Sequence, residues 1–502
     1  MNTLYYGDNL EVLRKYIKDE TIDLVYIDPP FNSKRNYNQI YNNVGKEDLA
    51  QTQAFIDTWN WDDLAIKGFN EIADNHRGLF SGQTISLILG LEKVLSRSSL
   101  LAYLVSMTLR ATEIHRALKE NGCFFLHCDP TASHYLKLVL DAIFCPDGGQ
   151  FQNEIIWCYS IGGKGKTRFG RKHDVILFYT KNNNDKHTFN YSGAMIARKA
   201  NSHMKVGVDV DGREYQEKKD RKSGKVYRYY VDEGKIAEDY WIDIETLNRE
   251  DKERLGYPTQ KPEALLERII KTCSNEGDVV LDAYCGCGTT VAVAQKLNRK
   301  WIGADITYQS ISLILKRLED SHGASIFSEV KLTGIPKDLA SAEALANKKD
   351  DRIRKEFEKW ALLTYSKNRA AVNQKKGADQ GIDGWGFFPI TDKEFGRIVF
   401  QVKSGKVSSR DIRDLLGAIT REDAQLGIFI TLQSPTKDML KEAKTYEFYH
   451  YKLINKDIPK IQIVTIQQIL ENNVQLDLPL VAGVLKSSPR HVDGEQLDLL
   501  AG

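Results

Sequence analysis

Between Leu4 and about residue 330, short apolar runs alternate with helical patterns, and this alternation restricts the segment to an α/β fold. Leu24-Val25-Tyr26-Ile27 reads as a buried strand that ends at Asp28-Pro29-Pro30. A strand over 123–127 follows the Asn121-Gly122 turn signal, and 155–157, 175–179, 279–282 and 301–305 read as further strands. Residues 181–256 break the alternation. They are rich in Lys, Asp, Tyr and Gly with little helical periodicity, so an inserted, polar, β-rich module is expected there. Residues 331–349 read as a linker. Residues 350–475 begin a second, smaller α/β pattern, with a helix through Phe357 and Trp360 and strands near 398–402, 427–432 and 461–465. Residues 476–502 read as a tail. Two domains agree with a length of 502 residues, too many for one ordinary core.

Composition narrows the class. At 42% hydrophobic and 27% charged residues the chain is that of a soluble globular protein, not a disordered one. No apolar stretch is long enough to cross a bilayer and Met1 to Asp8 carries no secretory pattern, so a cytoplasmic protein without a membrane partner is expected. The seven cysteines lie between Cys123 and Cys287 without a second pair at zinc-ligand spacing, which predicts reduced thiols. Lys+Arg 70 against Asp+Glu 68 leaves a net charge of +2. Any polyanion must then be held by local patches rather than by a global field.

Asp28-Pro29-Pro30-Phe31 stands directly after a strand, where open α/β sheets bind ligands. The prolines fix the backbone, so the Asp28 carboxylate and the Pro29 carbonyl hold set directions and both can accept from one amino group. Phe31 offers a face for a flipped base. On the tetrapeptide alone, a proline-rich strand-end turn with a capping Asp explains the residues equally well. A second constellation, Asp282-Ala-Tyr284-Cys-Gly286-Cys-Gly288-Thr289-Thr290, runs from a strand into a helix. Its glycines let a ligand approach the backbone, and the helix start offers unpaired N–H groups. Asp305 ends the next strand at about the spacing of a ribose-binding carboxylate. A dinucleotide pocket and an adenosine–methionine pocket both fit, but the loop is not Gly-x-Gly-x-x-Gly, which disfavours a pyrophosphate cradle.

These motifs in this order, with Tyr257-Pro-Thr259-Gln-Lys261-Pro262 between them, resemble the β-group of amino-DNA methyltransferases, which act on N6 of adenine or N4 of cytosine. Gly7-Asp8-Asn9-Leu10 and Trp157-Cys-Tyr-Ser-Ile-Gly162-Gly163 match further blocks, so the resemblance spans about residues 3–315. It implies a Rossmann-like domain (1–330) that binds S-adenosylmethionine and double-stranded DNA. Asp28, Pro29, Pro30 and Phe31 would receive the target base. Asp282, Tyr284, Gly286, Gly288, Thr289 and Asp305 would hold the cofactor, with Asp8 near its adenine and Thr259, Lys261 and Pro262 near its methionine end. Tyr284 and Cys287 stand where the family usually has Phe and Ser. The insert 181–256 would be the target-recognition region. Asp at the first catalytic position favours adenine, with N4-cytosine the alternative. Protein and RNA methylases with Asn-Pro-Pro-Tyr place the Gly loop first, so motif order separates this chain from them. Lys164, Lys166, Arg168, Arg171 and Lys172, interleaved with glycines and Phe169, read as a phosphate-tracking loop.

In the second domain, Gly377-Ala-Asp-Gln-Gly-Ile-Asp383 precedes a strand carrying Gln401-Val402-Lys403. Asp383, Gln401 and the Val402 carbonyl would offer oxygen ligands to Mg²⁺, and Lys403 would polarise water or phosphate. This resembles the Mrr-like branch of PD-(D/E)xK restriction endonucleases over about 350–470, with Glu356 as an additional acidic ligand. The whole then predicts a restriction–modification fusion on one chain, with a homodimer as the candidate assembly and the oligomeric state left open. The alternatives are a modification enzyme whose C-terminal domain only binds DNA, and a silent DNA-binding adaptor.

Overall fold

The computed structural model describes residues 2–480 apart from 32–34, 44–45, 58, 161–166, 168, 183–185, 199–203, 249, 256, 258, 348–350, 374–380, 392–393, 454, 473, 477 and 479. The first unit is built on a nine-stranded sheet. Its strands are β1 (Asn2–Tyr6), β2 (Ile22–Ile27), β3 (Leu118–Cys128), β4 (Gln150–Cys158), β5 (His173–Thr180), β6 (Tyr240–Trp241), β7 (Val279–Asp282), β8 (Lys300–Asp305) and β9 (Val330–Thr333). Their spatial order is β6-β4-β5-β3-β2-β7-β8-β1-β9. Pairing is parallel except around β5, which runs antiparallel to both β3 and β4.

Helices cover both faces, which is why β2 is buried along its whole length and apolar from Leu24 to Ile27 instead of alternating, while the buried Asp23 is paired with Lys119. Leu24 and Tyr26 face the cluster that contains α4 (Glu263–Cys273), α5 (Thr289–Lys296) and α6 (Tyr308–His322). Val25 and Ile27 face the opposite cluster, with α1 (Asn9–Tyr16), α2 (Ser99–Ala117) and α3 (Ser133–Phe144).

The Asn121-Gly122 turn signal falls where the register of β3 opposite β2 jumps from Ile22↔Leu118 to Leu24↔Cys123, so residues 119–122 form an irregular stretch without paired partners in β2 and regular pairing resumes at Cys123. In the insert, Lys205–Val208, Glu214–Lys219 and Val226–Tyr230 form a three-stranded antiparallel sheet. Tyr240 and Trp241, within the same stretch, return to the main sheet beside Ile156 and Trp157. The stretch expected as a linker holds most of β9, which pairs with β1, and the helix α7 (Leu339–Ala346).

The second unit packs α8 (Asp351–Tyr365) and α9 (Ser409–Arg421) on a five-stranded sheet. The order is β10 (Ala371–Val372), β11 (Gly384–Pro389), β12 (Phe395–Lys403), β13 (Leu426–Thr431), β14 (Ile461–Thr465), with the last three parallel. Phe357 and Trp360 of α8 belong to one continuous apolar cluster with Phe400 and with Ile314 and Leu318 of α6. The two units therefore share a core. Among the described residues no helix is long and apolar enough to cross a membrane. All seven cysteines are free thiols.

Candidate active site

The C-terminal ends of β1, β2, β7 and β8 open into one cavity of about 1050 Å³, where an open α/β sheet places its ligands. Asp8, Asp28, Asp282 and Asp305, each at one of these strand ends, all line it.

Asp28 is placed by the buried β2 and the two prolines after it. Its Oδ2 lies 2.5 Å from Lys261 Nζ, and Lys261 is itself largely buried. Lys261, expected toward a cofactor's methionine end, thus contacts the Asp28-Pro29-Pro30-Phe31 segment directly. Its ammonium also lies 5.5 Å from the centroid of the Phe31 ring, within cation–π range. Phe31 is nearly parallel to the His127 ring, with centroids 6.0 Å apart and 20° between planes. His127 is fully buried at the end of β3 and bonded on both nitrogens: Nδ1 meets the Tyr26 hydroxyl at 2.9 Å and Nε2 meets Asp174 at 3.1 Å. The Tyr159 hydroxyl donates to the other Asp174 oxygen at 3.1 Å. Burial works to raise the Asp174 pKa, but the hydrogen bond and charge of His127 leave it below the usual carboxylate value. A four-residue chain of hydrogen bonds thus backs Phe31.

The glycine loop is shaped by steric need. Gly288 has φ +76°, and a Cβ there would lie 2.6 Å from the Ile314 side chain. Gly286 has φ +47° and donates its N–H to Asp305 at 2.9 Å. Asp282 accepts from Tyr284 N–H at 2.9 Å and from the Thr290 hydroxyl at 2.6 Å. Burial pushes the Asp282 carboxyl up to about 7 and that of Asp305 up to about 6, against the hydrogen bonds each accepts. Thr289 donates to the Lys261 carbonyl at 3.2 Å, joining the loop to the 257–262 segment. In that segment Thr259 faces the cavity with φ +62°, and Pro262 caps α4. The Tyr284 hydroxyl points at Met107 Sδ, 3.7 Å away. Asp8 caps α1 through Leu10 and Glu11 N–H groups and pairs with Arg110 at 3.0 Å.

Other expected residues scatter. Lys164, Lys166 and Arg168 lie outside the described residues. Arg171 is exposed, and the Lys172 ammonium donates to the Ser160 carbonyl. In the second unit Asp383 and Gln401 are neighbours: Asp383 accepts from Val402 N–H at 2.7 Å, and the buried Gln401 Oε1 has no hydrogen-bond partner among the described residues. Lys403 follows on the same strand. Glu356 does not join them as a ligand. It accepts from Tyr308 N–H at 2.9 Å and pairs with Lys359 at 2.6 Å. Among the described residues no three His, Cys, Asp or Glu side chains gather as a metal-holding group.

Sequence reasoning missed His127, Asp174, Arg110 and the pocket-lining role of Glu356. The available signal was a lone histidine ending an otherwise apolar strand, which does not name its partners.

A DNA methylase family model matches residues 22–316. A model described as NACHT-associated inactive Restriction Endonuclease 1 matches residues 354–471. The DNA adenine methyltransferase YhdJ of Escherichia coli (strain K12) is 28% identical over 336 residues, covering 67% of this chain and 87% of its own length. The type II methyltransferase M.HpaI of Haemophilus parainfluenzae is 30% identical over 230 residues, 45% of this chain and 63% of that protein. Among solved structures, an M1.HpyAVI–SAM complex aligns over 63% of this chain and 100% of its own, with 16% identity and a TM-score of 0.32.

Proposed function

Since the chain belongs to the DNA methylase family, we propose that it moves the methyl group of S-adenosylmethionine onto the exocyclic N6 amine of adenine in double-stranded DNA. The observation that carries this reading is the meeting of Asp28-Pro29-Pro30-Phe31 with the Asp282–Thr290 loop, Asp305 and Asp8 on one cavity. S-adenosylmethionine supplies the activated methyl, and its sulfur keeps the electron pair of the broken carbon–sulfur bond.

Asp28 and the Pro29 carbonyl would accept hydrogen bonds from the two amine N–H groups, which turns the nitrogen lone pair out of the base, and one of the two protons leaves toward Asp28 as the N–C bond forms while the other stays on the methylated amine. Phe31, backed by His127, stacks the flipped base. Asp305 and Asp8 hold the adenosine end, and the Gly286–Gly288 turn admits the methionine end to the backbone. The chain's own charge at the reacting edge is Asp28 paired with Lys261, so an arriving amine takes over an acceptor that already has a donor. The adenine activity in the name of the E. coli relative supports N6 over N4-cytosine. The three-stranded insert is assigned to target recognition.

A second reading concerns the C-terminal unit: Mg²⁺-dependent cleavage through Asp383, Gln401 and Lys403. The buried Gln401 Oε1 beside Asp383, without a hydrogen-bond partner among the described residues, favours it. The capture of an Asp383 oxygen by Val402 N–H and the engagement of Glu356 elsewhere weigh against it. One experiment tests both readings: purified protein, unmethylated phage DNA and tritiated S-adenosylmethionine, with and without Mg²⁺, scored by nucleoside and on a gel. Label in methyladenine is expected. Label in methylcytosine overturns the base assignment, and an absence of label on several genomes overturns the activity. Discrete fragments that require Mg²⁺ establish the second reading, and intact DNA removes it.

A further inference from the structure

We infer that the second unit is a working wall of the cofactor pocket, and that Glu356 couples cofactor occupancy to that unit. This rests on the reading that S-adenosylmethionine binds between Asp8, Asp305 and the glycine loop. The cavity does not end at the first unit: Lys355, Glu356, Lys359, Val372, Asn373 and Asp383 line it too. A single ligand space is thus built from both sheets.

Glu356 occupies a special place in this wall. Its carboxylate accepts the N–H of Tyr308, the first residue of α6, and the Asp305-Ile306-Thr307 turn enters that helix. Helix starts leave N–H groups without internal partners, and here one of them is satisfied from another unit. Thr307 satisfies a second by accepting from Ser310 N–H. The same carboxylate faces the Tyr6 hydroxyl: burial first, and then Glu356, drive the Tyr6 pKa well above its usual value. Tyr6 ends β1, directly before Gly7 and Asp8, and lies opposite Asp305 in the sheet. One side chain of the second unit therefore ties the two adjacent strand ends whose carboxylates are assigned to the adenosine. Lys359, also on α8, holds Glu356 in place at 2.6 Å, and the Tyr308 hydroxyl lies 3.2 Å from Thr364 farther along that helix.

A ligand that draws on Asp305 and Asp8 therefore acts on a turn whose next N–H is held by α8. Whatever α8 contributes to cofactor affinity, the cofactor returns as order in α8, because binding couplings are reciprocal. Glu356 is a positioning residue on this account, since it acts through Tyr308 and Tyr6.

The test uses the full chain. S-adenosylmethionine affinity is measured by calorimetry for the parent, Glu356→Gln and Glu356→Ala, together with KM and kcat for methyl transfer. Amide exchange over 351–365 is followed with and without S-adenosylmethionine. Glu356→Ala should weaken cofactor binding about tenfold, with the loss in KM rather than in kcat. Glu356→Gln, which keeps an acceptor for Tyr308, should recover part of it. Cofactor should slow exchange in 351–365 of the parent and not of Glu356→Ala. Should the alanine variant fail to fold, the glutamine variant and the parent's exchange pattern decide. Parent binding with no protection of 351–365, or variants that bind as the parent does, overturns the coupling. A parent that binds no S-adenosylmethionine overturns the underlying reading instead.

Discussion

Lys261 Nζ lies 2.5 Å from Asp28 Oδ2, so a cation from the 257–262 segment meets the carboxylate that ends β2. The two motifs are more than two hundred residues apart in sequence, yet their side chains meet in one ion pair. Asp28→Ala should lower methyl transfer by about 10²-fold or more while S-adenosylmethionine still binds, because it removes the acceptor assigned to the reacting amine and leaves Lys261 without its partner there. Lys261→Ala should lower kcat as well as raise the cofactor KM. Single-turnover rates beside calorimetric affinities check both, and an Asp28→Ala variant with parental kcat would remove the assigned role.

The hydrogen-bond chain behind Phe31 leads to a milder effect. Asp174→Asn preserves shape but takes the charge from His127, so the Phe31 ring loses a fixed support. We expect kcat to fall about tenfold, with cofactor affinity within about twofold of the parent, since reacting geometry is sensitive to small displacements. Stopped-flow fluorescence of a 2-aminopurine target would report base flipping alongside the rate.

Acidity gives opposite signs with and without cofactor. Asp282 and Asp305 bind protons more tightly folded, at about 7 and about 6, than in an unfolded chain at 3.8. The stability they contribute is present below the unfolded value and is lost as pH rises through about 6 and about 7. Without cofactor, the melting temperature should therefore fall between pH 5 and pH 8, and Asp282→Asn should flatten that fall. Cofactor affinity should move the other way. Ribose hydroxyls need the ionised Asp305 as acceptor, so affinity should drop by up to about tenfold per pH unit below about 6. Calorimetry in two buffers of different ionisation enthalpy would count the released proton.

At Gly288 the prediction is steric. A Cβ 2.6 Å from Ile314, on a backbone with φ +76°, forces overpacking and strain together. Gly288→Ala should destabilise the chain by about 1–3 kcal/mol and weaken cofactor binding. Chemical denaturation measures the first effect, and Ile314→Ala, which removes the clashing Cγ1, should cost less in the Gly288→Ala background than in the parent.

What could be read from the sequence divides along physical lines. The alternating pattern predicts the strands at 24–27, 155–157, 279–282 and 301–305, and helices cover the faces that those runs require. The Asp28 and Asp282 motifs are legible because tight strand ends need proline and glycine at fixed offsets. Arg110 on Asp8, Asp174 on His127 and Glu356 on Tyr308 were not legible, because each pairing is made by the tertiary arrangement alone. Glu356 shows this most clearly. A helical glutamate near an expected metal site read as a candidate ligand, and only the shared core turns it toward α6. Asn121-Gly122 marks the place where the β2–β3 register jumps before Cys123, so the local turn signal and the sheet irregularity coincide.

The position of β1 carries a consequence for how the molecule comes into being. Tyr5 lies opposite Ala304 on one side and Thr333 on the other, so β1 waits for neighbours that follow it by about three hundred residues. Contacts of such sequence separation must close very long loops before they bring any gain, which slows folding. During synthesis about three hundred residues follow β1 before it can be flanked, and until then β2 presents an unfinished edge, since β3 is already covered by β2 and β5. The nascent chain is exposed to edge-to-edge association through that interval, a hazard that ends only when β7, β8 and β9 arrive.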